Sequence, residues 1–143
     1  VKGSFLLYDT DQMGMEAALA AIEADGVEPG PVALYGSGGV SAAVTRALES
    51  RGWGPIVTIP ARHGWGEHAD SSYKLVIDAS GGDGSGHAHA PKCTAWLDLR
   101  YRDIPSPPAQ AQRFYNGMTF YKMQALAQRE IWGLAPVQDH PLL

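Results

Sequence analysis

With 143 residues, 45% of them hydrophobic and 18% charged, the chain has the size and composition of one domain with a proper core. Its net charge of −4 leaves no basic footprint for nucleic acid, no apolar run is long enough to span a bilayer, and no signal peptide is visible. The single cysteine, Cys93, excludes an internal disulfide and suits a reducing, cytoplasmic setting. The first residue is Val1 rather than Met, as in a processed or excised piece.

Residues 3–8 read as a short extended segment, and Asp9-Thr10-Asp11 offers N-caps to a helix over roughly residues 12–25. Met15, Leu19 and Ile22 recur at helical spacing on one apolar face, and Gly26 closes the helix. A turn at Glu28-Pro29-Gly30-Pro31 leads into a buried strand, Val32-Ala33-Leu34-Tyr35. The strand runs straight into Gly36-Ser37-Gly38-Gly39-Val40, and a helix-forming stretch from Ser41 to Leu48 follows at once. Ile56 to Ile59, Leu75 to Asp78 and Thr94 to Leu99 are further apolar strands of the kind that parallel sheets bury on both faces. Only residues 60–74 separate the second strand from the third, so the crossover helix there must be very short or absent. Ser80 to His89, SGGDGSGHAH, is a flexible loop just past the carboxyl end of the third strand. Ser106-Pro107-Pro108 starts a modest helix toward Phe114, and residues 117–132 form a last helix with Phe120, Met123, Ala127 and Ile131 in one stripe. The expected fold is a Rossmann-like, doubly wound, mainly parallel α/β sheet with helices on both faces, one domain over residues 1–143.

The strand–glycine–helix order is that of a dinucleotide-binding unit. Gly36 permits the tight turn and Gly38 lets the backbone approach a pyrophosphate, while Gly39 and Ala43 keep the helix close to the sheet. The helix N-terminus offers N–H groups and a positive dipole end to the phosphates. NAD-binding units usually carry an acid at the end of the second strand. Here that point reads Ile59-Pro60-Ala61-Arg62-His63, and Arg62 suits the extra phosphate of NADP. Other chemistry is weaker. His87-Ala88-His89 with Cys93 lacks a fourth ligand and sits in a flexible loop, so no metal is expected. Ser37 lacks the G-x-S-x-G register of a hydrolase. Trp53 and Trp65 read as exposed aromatics near turns, more in keeping with local packing than with a partner.

Several motifs in order carry a resemblance. Asp9-Thr10-Asp11-Gln12-Met13-Gly14, Gly36-Ser37-Gly38-Gly39, Ile77-Asp78-Ala79-Ser80 and Asp98-Leu99-Arg100-Tyr101 fall along the chain, and Gly117, Gln124, Ala125 and Trp132 follow. Together they resemble the nucleotide-binding half of the shikimate dehydrogenases, including the quinate/shikimate enzymes. The resemblance implies an NADP-dependent oxidoreductase of aromatic amino-acid biosynthesis that interconverts 3-dehydroshikimate and shikimate. It implies that Asp11 works with a lysine in proton transfer, that Gln124 and Tyr101 contact the substrate, and that Leu99, Gly117 and Phe120 border the nicotinamide. Gly36, Ser37, Gly38, Gly39, Val40, Arg62, Ala79 and Ser80 complete the expected cofactor site.

Geometry supports part of this. Gly117, Phe120 and Gln124 are three and four residues apart and so share a helical face. The resemblance also implies an upstream, lysine-bearing domain outside these residues, with the first and last helices lying against it. That apolar face predicts self-association of the isolated chain, visible as concentration-dependent sedimentation. A non-catalytic nucleotide-binding or interaction module that keeps only the fold is the alternative, and a quinate or amino-analogue dehydrogenase is a second.

Overall fold

The computed structural model describes residues 2–131 and 133; for residues 2–9 and 131 it describes the backbone alone. Trp132 therefore lies outside the described residues. Helix α1 (Lys2–Ala24) precedes strand β1 (Val32–Tyr35), helix α2 (Ser41–Ser50) and strand β2 (Ile56–Ile59). Strands β3 (Ser72–Asp78), β4 (Lys92–Asp98) and β5 (Ala111–Tyr115) follow, and helix α3 (Met118–Ile131) comes last. All pairings are parallel and the strand order is β2-β1-β3-β4-β5. This is the Rossmann-like α/β architecture expected from the strand pattern.

The order of the strands decides what covers each face. Right-handed crossovers put connections that run in opposite directions along a sheet on opposite faces. The β1-to-β2 step therefore places α2 on one face, beside α1 and α3. Met15, Leu19, Ile22, Val44, Leu48 and Phe120 pack there against Val32, Leu34, Leu75, Ile77 and Leu97. The β2-to-β3 and β3-to-β4 steps cross the other face, where the helical segments are the 3-10 turns Ala61–His63, Gly66–Asp70 and Ser85–His89. The short crossover expected between β2 and β3 is thus two 3-10 turns. Aromatic side chains fill this second layer: Tyr35, Trp65 and Trp96 join Ala33, Ile59, Val76 and Cys93.

Five expectations are corrected. The segment 3–8 is helical, because α1 begins at Lys2 and runs through Asp9-Thr10-Asp11. Those residues cap nothing, since no proline interrupts the run and Thr10 is buried inside it. The helix expected toward Phe114 is instead edge strand β5. A turn at Ala109-Gln110, with Ala111 N–H donating to the Pro108 carbonyl, delivers a β-favouring Phe114-Tyr115 pair to the open edge of β4. Trp53 and Trp65 are 3% and 4% exposed and belong to the two core layers, so neither is a surface aromatic. On α3, Phe120 and Ala127 are buried but Met123 is 39% exposed, which breaks the expected stripe.

Candidate functional site

The chain reverses its direction across the sheet between β1 and β3, and in open α/β sheets ligands bind in the crevice outside the carboxyl ends of the strands at such a point. The sequence places the glycine turn there. Gly36 is buried at φ +108°, and a Cβ on it would sit 2.9 Å from the Ala79 carbonyl carbon and the Ser80 nitrogen. Glycine is thus dictated at this position by the backbone just past β3. Gly38 and Gly39 are exposed, and a Cβ on either would meet nothing within 4 Å. Gly39 therefore does not hold α2 against the sheet, whereas Ala43 is buried at 5% exposure and its neighbours Val44, Ala47 and Leu48 join the core with the strands. Ser37 is exposed, and half-buried Val40 sits at the N-cap of α2, where no side chain caps the helix. Arg62 is exposed in the 3-10 turn directly after β2.

Beside the turn lies a crevice of about 160 Å³, lined by Tyr35, Ala61, Asp78 and Ser80 of the body and by residues 82–87. Its floor is polar. Asp78 and Asp98 end adjacent strands in register and are 3% and 0% exposed. One oxygen of Asp78 accepts from the Ser80 backbone N–H (3.0 Å) and hydroxyl (2.6 Å). Its other oxygen is 3.3 Å from His87 Nε2 and 3.7 Å from Arg100 Nη2. Asp98 takes both arms of the Arg100 guanidinium, at 3.0 and 2.8 Å, and this pairing raises the Arg100 pKa further. Asp78, His87 and Asp98 converge closely enough for a cation, and that charge role is filled by Arg100. Burial, and then the Asp78 carboxylate, push the Tyr35 phenol up. Burial also pushes the Cys93 thiol up to about 12, which makes it a poor metal ligand.

A second cluster lies between α1 and α3. Gln124 Nε2 donates to Asp11 Oδ1, joining two residues 113 positions apart. The helices come this close because position 14 is glycine: a Cβ there would lie 2.6 Å from the Phe120 carbonyl oxygen. Phe120 is itself a core residue at 9% exposure, its ring against Gly14. Gly117 is buried, donates to the Arg100 carbonyl at 2.8 Å, and leaves no room for a Cβ beside the Leu99 carbonyl. Leu99 and Ala79 are half-buried and pack on the helical-face core. Tyr101 stacks on Tyr121 at 4.2 Å, with the Arg102 guanidinium 5.2 Å from its ring.

The structure thus brings Asp11 to Gln124, Gly36 to Ala79 and Ser80, and Leu99 to Gly117. It turns Phe120 inward and puts Tyr121, not singled out from the sequence, against Tyr101. Asp78, His87 and Arg100 were also missed as a unit. The available signal was an acid closing each of two apolar runs, Leu75 to Ile77 and Ala95 to Leu97.

Among solved structures, the chain superposes on a chorismate mutase/shikimate 5-dehydrogenase fusion protein from Clostridium acetobutylicum. The TM-score is 0.67 at 17% identity, over 90% of this chain and 55% of that one. Shikimate dehydrogenase 1 from Peptoclostridium difficile gives 0.64 at 15% identity over 93% of this chain and 57% of that one. A shikimate 5-dehydrogenase-like protein gives 0.64 at 19% identity over 92% and 58%. No family model and no curated protein matches by sequence. The chain therefore shares the Rossmann-like fold of shikimate dehydrogenases and spans 55–58% of the length of these neighbours. No described helix is long and apolar enough to cross a membrane.

Proposed function

We propose that the chain is the NADP(H)-binding part of a shikimate-dehydrogenase-like oxidoreductase acting on shikimate or a close analogue. The observation that carries this reading is the coincidence of the glycine turn with the reversal of strand order. Contact with the β3 end explains glycine at position 36, but no neighbour among the described residues explains it at 38 or 39. A backbone left bare of side chains beside an uncapped ten-residue helix fits a pyrophosphate. Arg62, free in solvent after β2, would take the 2′-phosphate. Ala79, Ser80, Leu99 and Gly117 would border the nicotinamide, with Phe120 only supporting that edge from the core. Bound there, the nicotinamide would supply the hydride.

The chain's own part is to hold the substrate. Asp11 and Gln124 together present a carboxylate and an amide, acceptor and donor, to ring hydroxyls, and Tyr101 adds an aromatic wall. A hydride acceptor must be held close to its donor while an acid protonates the oxygen. The second domain of such an enzyme would meet the α1–α3 side, where Met13 and Met123 are the exposed large hydrophobic side chains among the described residues.

Calorimetric titration with NADPH and NADH tests the reading. NADPH is expected to bind selectively, and Arg62→Ala to cost about tenfold in affinity, the worth of one charge-assisted phosphate contact. Failure of both cofactors to bind would favour a non-catalytic module that keeps the fold. One observation already points that way: the face that would flank the adenosine carries 3-10 turns in place of a crossover helix.

A further inference from the structure

We propose that His87 is a proton-operated latch that holds residues 81–89 over the switch-point crevice, closed when the imidazole carries two protons and released when it carries one. The proposal rests on the cofactor reading only for what the crevice serves.

Residues 82–87 form one side of the crevice and Tyr35, Ala61, Asp78 and Ser80 the other, so the segment after β3 is its lid. His87 fastens that lid to two separate parts of the body. Its Nδ1 lies 2.9 Å from the Ser106 carbonyl oxygen in the β4-to-β5 connection, and its Nε2 lies 3.3 Å from Asp78 Oδ2 at the end of β3. A peptide carbonyl and a carboxylate are both acceptors, so each contact needs an N–H on the ring. Neutral imidazole has one N–H and must give up one contact; imidazolium donates to both. The edge of the ring meets Trp96 at 4.9 Å and 74°, and the side chain is only 10% exposed, so the ring cannot swing to other partners without lifting the lid.

The surrounding charges fit a proton held there. From β3, Asp78 faces the ring; from the end of β4 come Asp98 and Arg100. Arg100 sits closest to Asp98, at 2.8 Å, and reaches Asp78 Oδ2 only at 3.7 Å, so two buried carboxylates share one guanidinium and His87 Nε2, at 3.3 Å, is the nearer cationic partner of Asp78. Asp83 of the lid and the Tyr35 phenol of β1 line the same crevice. The 3-10 turn Ala61–His63 contributes exposed Arg62 and His63, and in Gly66–Asp70 the His68 ring engages the Tyr73 hydroxyl. The Pro105-to-Gln110 stretch that receives Nδ1 has no titratable side chain. Among the described residues, the other hydrogen bonds from this segment to the body, Trp65 Nε1 to the Gly86 carbonyl, Gln110 Nε2 to the Ala88 carbonyl and the Gly82 N–H to Ser80 Oγ, do not titrate. Histidine is the side chain whose ring gains or loses this second N–H with a single proton.

Amide hydrogen exchange at about pH 5.5 and pH 8, corrected for the intrinsic pH dependence of exchange, reads the latch without any ligand. Amides of residues 84–90 are expected to open on the order of tenfold more often at the higher pH, while those of β1 stay unchanged. His87→Gln keeps one donor and should show no pH difference in this segment. Asp78→Asn leaves the ring facing a neutral amide and should lose most of the low-pH protection. A lid whose opening ignores pH in the unmodified chain, or a His87→Gln variant that keeps the pH response, overturns the proposal. Parallel NADPH titrations separate it from the cofactor reading. A pH-responsive lid with no NADPH binding leaves the latch standing and removes the cofactor; NADPH binding to a chain with a pH-indifferent lid does the reverse.

Discussion

The two faces of this sheet are built from different materials. On one, three α-helices lay Met15, Leu19, Ile22, Val44, Leu48 and Phe120 over the strands, a mainly aliphatic layer assembled from repeats three and four residues apart, with Trp53 at its side. On the other, the connections are too short for α-helices, and Tyr35, Trp65 and Trp96 supply the bulk instead. Tyr35 stacks on Trp65 at 4.3 Å, Trp65 tilts against Trp96 at 6.0 Å, and the His87 ring meets Trp96 edge-on. A large aromatic ring covers area that an absent helix turn would otherwise cover. The aromatic layer has a cost, because the buried Trp96 indole N–H has no partner among the described residues. A parallel sheet can therefore be closed on one side by a few rings, provided each is wedged in place.

Breaking that wedge should give the largest effect. Trp96 is 0% exposed and touches both Trp65 and His87, so Trp96→Ala removes the centre of the layer. Urea unfolding is expected to show a loss of about 3–5 kcal/mol, the range for deleting a buried ring. A loss under about 1 kcal/mol would mean that the rings decorate this face and do not hold it.

The helical face was the more legible in the sequence, because periodicity is read directly: Met15, Leu19 and Ile22 are all fully buried as their spacing demands. The aromatic face was opaque, because nothing in the local pattern says that Trp65 will reach Gly86 or that His87 will reach Asp78 and Ser106. Strand β5 was hidden by Pro107-Pro108, which reads equally as a helix start or a turn; pairing with β4 decides it. At the candidate site, Gly117, Phe120, Tyr121 and Gln124 illustrate the limit. Either aromatic lies three or four residues from both its neighbours, so helical spacing alone cannot choose between them. The choice is tertiary, since Gly14 admits Phe120 to the core and leaves Tyr121 to Tyr101.

The glycine turn sits where the two faces meet, and its glycines should separate cleanly. Gly36→Ala places a Cβ 2.9 Å from backbone at a φ of +108°, so neither rotamer nor side-chain shift relieves it. Thermal or denaturant unfolding should show a loss of about 1–3 kcal/mol. Gly38→Ala meets open space and should stay within about 0.5 kcal/mol in stability while weakening NADPH binding. Equal stability losses at both positions would remove the distinction between a glycine kept for the fold and one kept for a ligand.

The smallest expected effect sharpens the contrast in pH response. On the helical face, Glu23 of α1 accepts from Arg51 Nε at 2.8 Å and from Trp53 Nε1 at 3.0 Å, tying α1 to the end of α2. The Arg51 hydrogen bond lowers the Glu23 pKa most; burial opposes it, and Trp53 and the Arg51 charge reinforce it. A carboxyl lowered on folding contributes stability that is fully present above its unfolded pKa and is lost as pH falls through the folded value. Because both side chains remain a quarter or more exposed, at 25% and 31%, solvent screening keeps the contribution below about 1 kcal/mol. Glu23→Gln should therefore destabilise slightly at pH 7 and flatten the acid limb of the stability profile. The His87 latch on the other face runs the opposite way, tightening as the ring gains a proton. Residues 84–90 should thus gain protection on acidification, the change that weakens the α1–α2 tie. If Glu23→Gln also changed exchange in that segment, the two faces would be one electrostatic unit, and the separation drawn between them would fail.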